Sequence, residues 1–150
     1  MGGPHPAFVD EDVLAGGYAD FIVKGEGEIT FPDLLETITR GDDPCHVKGI
    51  SYLVHGNVTR TAPRELVEDL DSLPFPARHL VDIDAYKRFG VKYGGERSIA
   101  ILSTSRGCPN ACDFCVTPQL YGGRWRARTP ESVVAEIEHV YYDYGYRAIA

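Results

Sequence analysis

Three cysteines stand close together in the run Cys108-Pro109-Asn110-Ala111-Cys112-Asp113-Phe114-Cys115. The spacing is C-x3-C-x2-C, on a loop that Gly107 and Pro109 keep tight, so the three thiols can converge on one centre. Thiolates are the ligands of iron–sulfur clusters. A four-iron cubane with three protein ligands keeps one iron open for a substrate or cofactor, which makes such a site chemical rather than purely structural. Two other readings compete. A zinc site needs a fourth ligand, usually Cys or His, and the nearest later candidate, His139, lies on a helix directed elsewhere. A redox pair would use Cys112 and Cys115 and leave Cys108 idle. The spacing favours iron–sulfur, since inert buried cysteines would not need it. Cys45, beside His46, reads as incidental.

The elements that must position this loop follow from the hydrophobic pattern. Ser98 to Thr104 is an apolar strand, and Arg106 to Arg128 is a long loop. Thr129 caps a helix with Pro130 at its first position, where a missing N–H costs nothing. Val133, Val134, Ile137, Val140, Tyr141 and Tyr144 form its apolar face, Gly145 ends it, and Arg147 to Ala150 opens another strand. Strand, loop, helix, strand is one βαβ unit with parallel strands. Upstream, Gly2 to Pro6 is loop chemistry. Asp10 to Ala15 makes one or two helical turns with Asp10 as cap. Asp20 to Lys24 reads as a short buried parallel strand. Gly25-Glu26-Gly27-Glu28 turns into a helix from about Ile29 to Thr39, with Ile29, Leu34, Leu35 and Ile38 near one face. Ile50, Tyr52 and Val54 alternate before Gly56-Asn57, a hairpin with a tight turn. Asp69 to Pro76 is an extended, proline-biased connector, and Ile83 to Phe89 a short helical turn. Both ends of this pattern read as unfinished, so the 150 residues are expected to be a fragment.

Composition narrows the class. The chain is 43% hydrophobic and 25% charged, which excludes collagen, disorder and a disulfide-dense scaffold. Its net charge of −7 argues against bulk binding to nucleic acid or an anionic membrane. The acid is concentrated at the front, where residues 1–44 carry ten acidic and two basic side chains. Arg106, Arg124, Arg126 and Arg128 make a local basic patch around the cysteine loop. No apolar run approaches the ~20 residues needed to span a bilayer. Clustered, unpaired cysteines imply a reducing compartment, hence the cytoplasm.

The segment Ser105-Arg106-Gly107-Cys108-Pro109 through Phe114-Cys115 resembles the signature of radical S-adenosylmethionine (SAM) enzymes, with an aromatic residue just before the last cysteine. Four further stretches make the resemblance narrower. Gly2-Gly3-Pro4-His5, Lys24-Gly25-Glu26-Gly27-Glu28, Val47 to Tyr52 and Asp71 to Arg78 resemble, in order and spacing, the cobalamin-binding radical SAM proteins. That resemblance implies an α/β fold in three parts. Residues 1–44 would be the C-terminal piece of a Rossmann-like cobalamin-binding sheet, and 45–97 a β-hairpin and linker. Residues 98–150 would be the first βαβ unit of a radical SAM (β/α) barrel, cut short.

The resemblance also implies the cofactors: a [4Fe–4S] cluster on Cys108, Cys112 and Cys115, S-adenosylmethionine on its open iron, and cobalamin. Phe114 would shield the cluster and contact SAM. Gly2 and Gly3 would let the corrinoid tail approach the backbone, and Gly25 and Glu26 would close the same edge. The implied activity is reductive cleavage of SAM to a 5′-deoxyadenosyl radical, for methylation or cyclisation of an unactivated small-molecule substrate. An external flavodoxin- or ferredoxin-like one-electron reductant would serve it. The fragment alone is expected to be inactive. Two alternatives stand beside this reading. Cys115-Val116-Thr117-Pro118 and Gly123-Arg124 also resemble radical SAM methylthiotransferases, although residues 1–100 hold only Cys45 where that family has three more cysteines. The other alternative is a non-catalytic zinc or electron-transfer module.

Overall fold

A computed structural model describes residues 1–89 and 99–150. In chain order the elements are α1 (Pro4–Phe8), α2 (Asp10–Ala15), β1 (Phe21–Val23), α3 (Gly27–Arg40), β2 (Ile50–Val54), β3 (Asn57–Arg60) and α4 (Ile83–Phe89). They continue with β4 (Ile99–Ala100), β5 (Ser105–Arg106), α5 (Thr117–Tyr121), β6 (Arg126–Ala127), α6 (Pro130–Tyr142) and β7 (Ala148–Ile149). The chain divides into two compact units. One comprises Met1–Glu68 with Gly107–Arg124, the other Asp69–Arg106 with Trp125–Ala150.

The first unit is organised by β1, whose side chains alternate between two helices as the period of a strand requires. Ile22 packs with Val13 and Leu14 of α2, while Val23 and Phe21 pack with Leu34 of α3 and with Ile50 and Tyr52. Burial on both faces explains the unbroken apolar centre of the segment. Its partner differs from expectation. β1 pairs antiparallel with β2, and the sheet order is β1-β2-β3. The parallel neighbour of β1 is a single bridge from Val23 to Gly2, where Val23 N–H donates to Met1 O at 2.8 Å. The hairpin therefore completes one sheet with β1. Its turn falls one residue earlier than expected, at His55-Gly56, with φ of 50° and 82°. Two successive positive φ values are the twist-matched hairpin turn.

Two helical readings also change. Pro4–Phe8 is helical rather than loop. Val9, not Asp10, stands at the cap of α2, because Asp10 turns inward. There its carboxylate accepts from Ser51 Oγ at 2.7 Å, Lys24 Nζ at 2.7 Å and Arg60 Nε at 2.9 Å. The Arg60 hydrogen bond holds the Asp10 carboxyl well below the ordinary aspartate value. Burial acts against it, and Lys24 and Ser51 add to it. A carboxyl whose pKa is lowered by folding adds stability above its unfolded pKa, and that stability fades as pH falls toward the folded value. Urea unfolding at about pH 6 and about pH 2.5 should therefore show a steeper acid loss for the parent than for Asp10→Asn. On α3 only Leu34 of the expected apolar face is buried; Ile29, Leu35 and Ile38 are exposed.

In the second unit β4 and β7 pair in parallel with α6 between them, as the βαβ pattern requires. The ladder continues through Ala150 N–H to Ala100 O at 2.9 Å and Leu102 N–H to Ala150 O at 3.0 Å. The strand expected from Ser98 to Thr104 is regular only at Ile99–Ala100; Ser98, with the rest of 90–98, lies outside the described residues. Thr129 caps α6 by accepting from Ser132 N–H, with Pro130 at the first position. The helix ends at Tyr142, before Gly145. Its residues Val134 and Tyr141 are exposed, whereas its fully enclosed side chains are Val140 and, unexpectedly, Glu136. Two arginines make that burial possible. Arg78 Nη2 lies 2.6 Å from one Glu136 oxygen and Arg128 pairs with the other. Burial would raise the Glu136 carboxyl, and the two guanidiniums outweigh it and hold it low.

Candidate metal centre

The cysteine segment is more ordered than a long loop. β5 and β6 pair antiparallel, so the chain enters and leaves the segment from one two-stranded clasp. Beyond the clasp Gly107 adopts φ +86°, and a Cβ built there would sit 1.8 Å from Arg124 O and 3.2 Å from Tyr121 Cβ. Only glycine permits this close approach of backbone to backbone. Cys115 N–H donates to Cys112 O at 3.0 Å, which closes the C-x2-C portion as a turn. α5 follows directly, capped at its C-terminal end by left-handed Gly122. Arg124 makes a two-pronged ion pair with Glu68, both contacts at 2.7 Å.

All three thiols are free, Cys112 exposed and Cys108 and Cys115 half-buried. A hydrogen bond from the Thr117 side chain, joined by its backbone, lowers the Cys115 thiol pKa and favours the thiolate. Among the described residues no three His, Cys, Asp or Glu side chains are drawn together closely enough to hold a single metal ion. The expected convergence of the three thiols is thus not seen among the described residues; what the turn offers is three free thiols, the donor type an iron–sulfur cluster takes. Phe114 points out from this turn and is 92% exposed.

The remaining expected site residues lie beside the end of β1 and the start of α3. Gly2 joins Met1, Val23, Gly27, Glu28 and Phe31 in lining an open cavity of about 630 Å³. Gly3 and Gly25 have φ of +102° and +74°, with open space where a side chain would go. Glu26 is buried, and its carboxylate accepts from Val67 N–H at 2.7 Å, fastening the chain after β3 to the start of α3. The cavity wall from Gly27 and Phe31, four apart on α3, escaped the sequence reading, although their helical spacing was a usable signal. The arginines of the basic patch are largely engaged within the protein: Arg124 by Glu68, and Arg128 by Glu136 and Ser132.

No protein-family model matches the chain. It is 37% identical over 150 residues to an uncharacterized methyltransferase of Pyrococcus horikoshii, covering 99% of this chain and 31% of that protein. It is 32% identical over 145 residues to the anaerobic magnesium-protoporphyrin IX monomethyl ester cyclase of a Synechocystis strain, covering 96% of this chain and 28% of that one. The chain therefore spans less than a third of the length of these relatives. In fold it is similar to OxsB, a cobalamin-dependent S-adenosylmethionine radical enzyme solved with aqua-cobalamin bound. The TM-score is 0.71 at 26% identity, over 93% of this chain and 18% of OxsB. It is similar also to TsrM of Kitasatospora setae, a radical S-adenosylmethionine methyltransferase solved with cobalamin and a [4Fe–4S] cluster. There the TM-score is 0.66 at 22% identity, over 95% of this chain and 28% of TsrM. These relatives and neighbours are enzymes, and they include the cobalamin-binding radical SAM proteins whose motifs the sequence resembles.

Proposed function

We propose that this chain is a section of a cobalamin-dependent radical SAM enzyme, with residues 1–44 closing the cobalamin domain, 45–97 linking, and 98–150 opening the barrel. The C-x3-C-x2-C turn carries the reading, supported by the 37% likeness to a methyltransferase across 99% of the chain. Cys108, Cys112 and Cys115 would hold a [4Fe–4S] cluster, and Thr117 readies Cys115 as the thiolate a ligand must be. When bound, such a cluster supplies the electron that cleaves SAM to a 5′-deoxyadenosyl radical. The Gly107 crossing keeps the ends of the cysteine segment together, and Phe114 on its outer side is free to cover a bound cofactor. The cavity beside Gly2 would take an extended part of cobalamin, its walls mostly backbone and apolar side chains. The whole protein would methylate, or cyclise, a small-molecule substrate in a reducing cytoplasm, fed by a flavodoxin- or ferredoxin-like reductant.

Anaerobic reconstitution with iron and sulfide tests this. The chain should take up about four irons with a brown chromophore. Replacing any one of Cys108, Cys112 or Cys115 by alanine should weaken iron binding by at least about 10–100-fold, since a lost ligand costs no less than a lost outer partner. Tight stoichiometric zinc without a chromophore, or three alanine variants that bind iron like the parent, would overturn the reading.

A further inference from the structure

We propose that Glu136 is a positioning residue for the cysteine turn, holding through Arg128 and Arg78 the two strands from which that turn leaves. The inference rests on the cluster reading above, and its evidence lies in the second unit. Arg128 follows β6, at the exit of the cysteine segment, and its backbone N–H donates to Thr104 O at 2.9 Å, at the entry. Its guanidinium is clamped by Glu136 and by Ser132 Oγ at 2.8 Å, and makes a long 3.5 Å contact to Ser103 O. Arg78 mirrors this from the short 3-10 turn Arg78–Leu80, reaching Glu136 at 2.6 Å and Ile101 O at 3.5 Å. One enclosed carboxylate thus bridges two guanidiniums that both face carbonyls of the segment joining β4 to β5. Surface pairs rarely fix geometry, because water competes for them. This triad is shielded: the glutamate side chain is 2% exposed and each arginine 10%. The β5–β6 clasp is only two residues long on each side. A ladder so short depends on neighbours for its rigidity.

The test compares the parent with Glu136→Gln, which keeps the shape and removes the charge, and Glu136→Asp, which restores the charge. Amide exchange in 101–106 and 126–128 should rise at least about tenfold in Glu136→Gln, with exchange in β1–β3 unchanged. Iron affinity should fall about 10–100-fold, with altered g values for the reduced cluster. Glu136→Asp should recover part of each. A purely structural role would lower the melting temperature and leave the local exchange pattern and g values alone, which overturns the proposal. If Glu136→Gln does not fold, Arg128→Lys supplies the same readouts, since it keeps the charge and the backbone bond to Thr104 but loses the guanidinium fork. An iron-free parent would overturn the cluster reading and this role with it; an iron-loaded parent matched by its variants would overturn the role alone.

Discussion

Gly107→Ala should abolish cluster assembly while leaving the β1–β3 sheet folded. Two costs combine at this position. The left-handed φ of +86° is one that a residue with a Cβ occupies at a cost of about 1–2 kcal/mol. The new Cβ would also meet Arg124 O at 1.8 Å, a distance that no side-chain rotation relieves because both partners are backbone. The chain crossing must open, and with it the base of the turn that bears all three cysteines. Gly122→Ala and Gly123→Ala are the internal comparison. Their φ values, 59° and 68°, are also left-handed, but a Cβ at either meets nothing within 4 Å. They should show the conformational cost alone, about 1–2 kcal/mol, and retain iron. Iron content after anaerobic reconstitution, with limited proteolysis of 107–124, measures the difference. Equal iron uptake by Gly107→Ala and Gly122→Ala would contradict the crossing.

Glu136→Ala should be the most destabilising truncation in the second unit, by about 3–5 kcal/mol, as expected when one member of a buried ion cluster is removed. Its partners Arg78 and Arg128 are each 10% exposed, so neither guanidinium reaches water once the carboxylate is gone. Asp10→Ala makes a matched contrast in the first unit. Asp10 is as well buried, but Lys24 and Arg60 are 31% and 46% exposed and can return to solvent. The same deletion there should cost less than at Glu136, because the penalty lies in the charges left behind rather than in the bond removed. Urea midpoints for the two variants decide it, and a larger loss at Asp10 would refute the ranking. Replacing Glu136, Arg78 and Arg128 together by apolar residues should recover much of the stability. It should not recover the local protection of 101–106, which separates stability from placement.

The cysteine turn was readable because its chemistry is local. Three thiols within eight residues and a glycine before them need no knowledge of distant neighbours, although the short helix Thr117–Tyr121 after them went unread within the expected loop. The same holds for Thr129 and Pro130 at the start of α6, and for the β4–α6–β7 unit, whose parallel pairing follows from the connection. Readings failed where the partner was remote. The apolar centre of β1 is equally suited to a parallel or an antiparallel neighbour, since burial on both faces says nothing about which strand supplies the edge bonds. A hairpin turn of His55-Gly56 differs from Gly56-Asn57 by one step, and register is set by which face must be buried.

What local residue types and spacing determined, then, was the cysteine spacing on which the proposed cluster rests, the capped helix and the βαβ order. What only the packed chain decided was which charges are internal. Glu136 lies off the apolar face read for its helix, and Arg78 just past the proline-rich connector, 58 positions away. Asp10 reads as a helix cap and turns out to face Arg60 from 50 positions away. An ionisable side chain can be buried only when counter-charges are delivered to it, and delivery across such separations is a property of the closed fold.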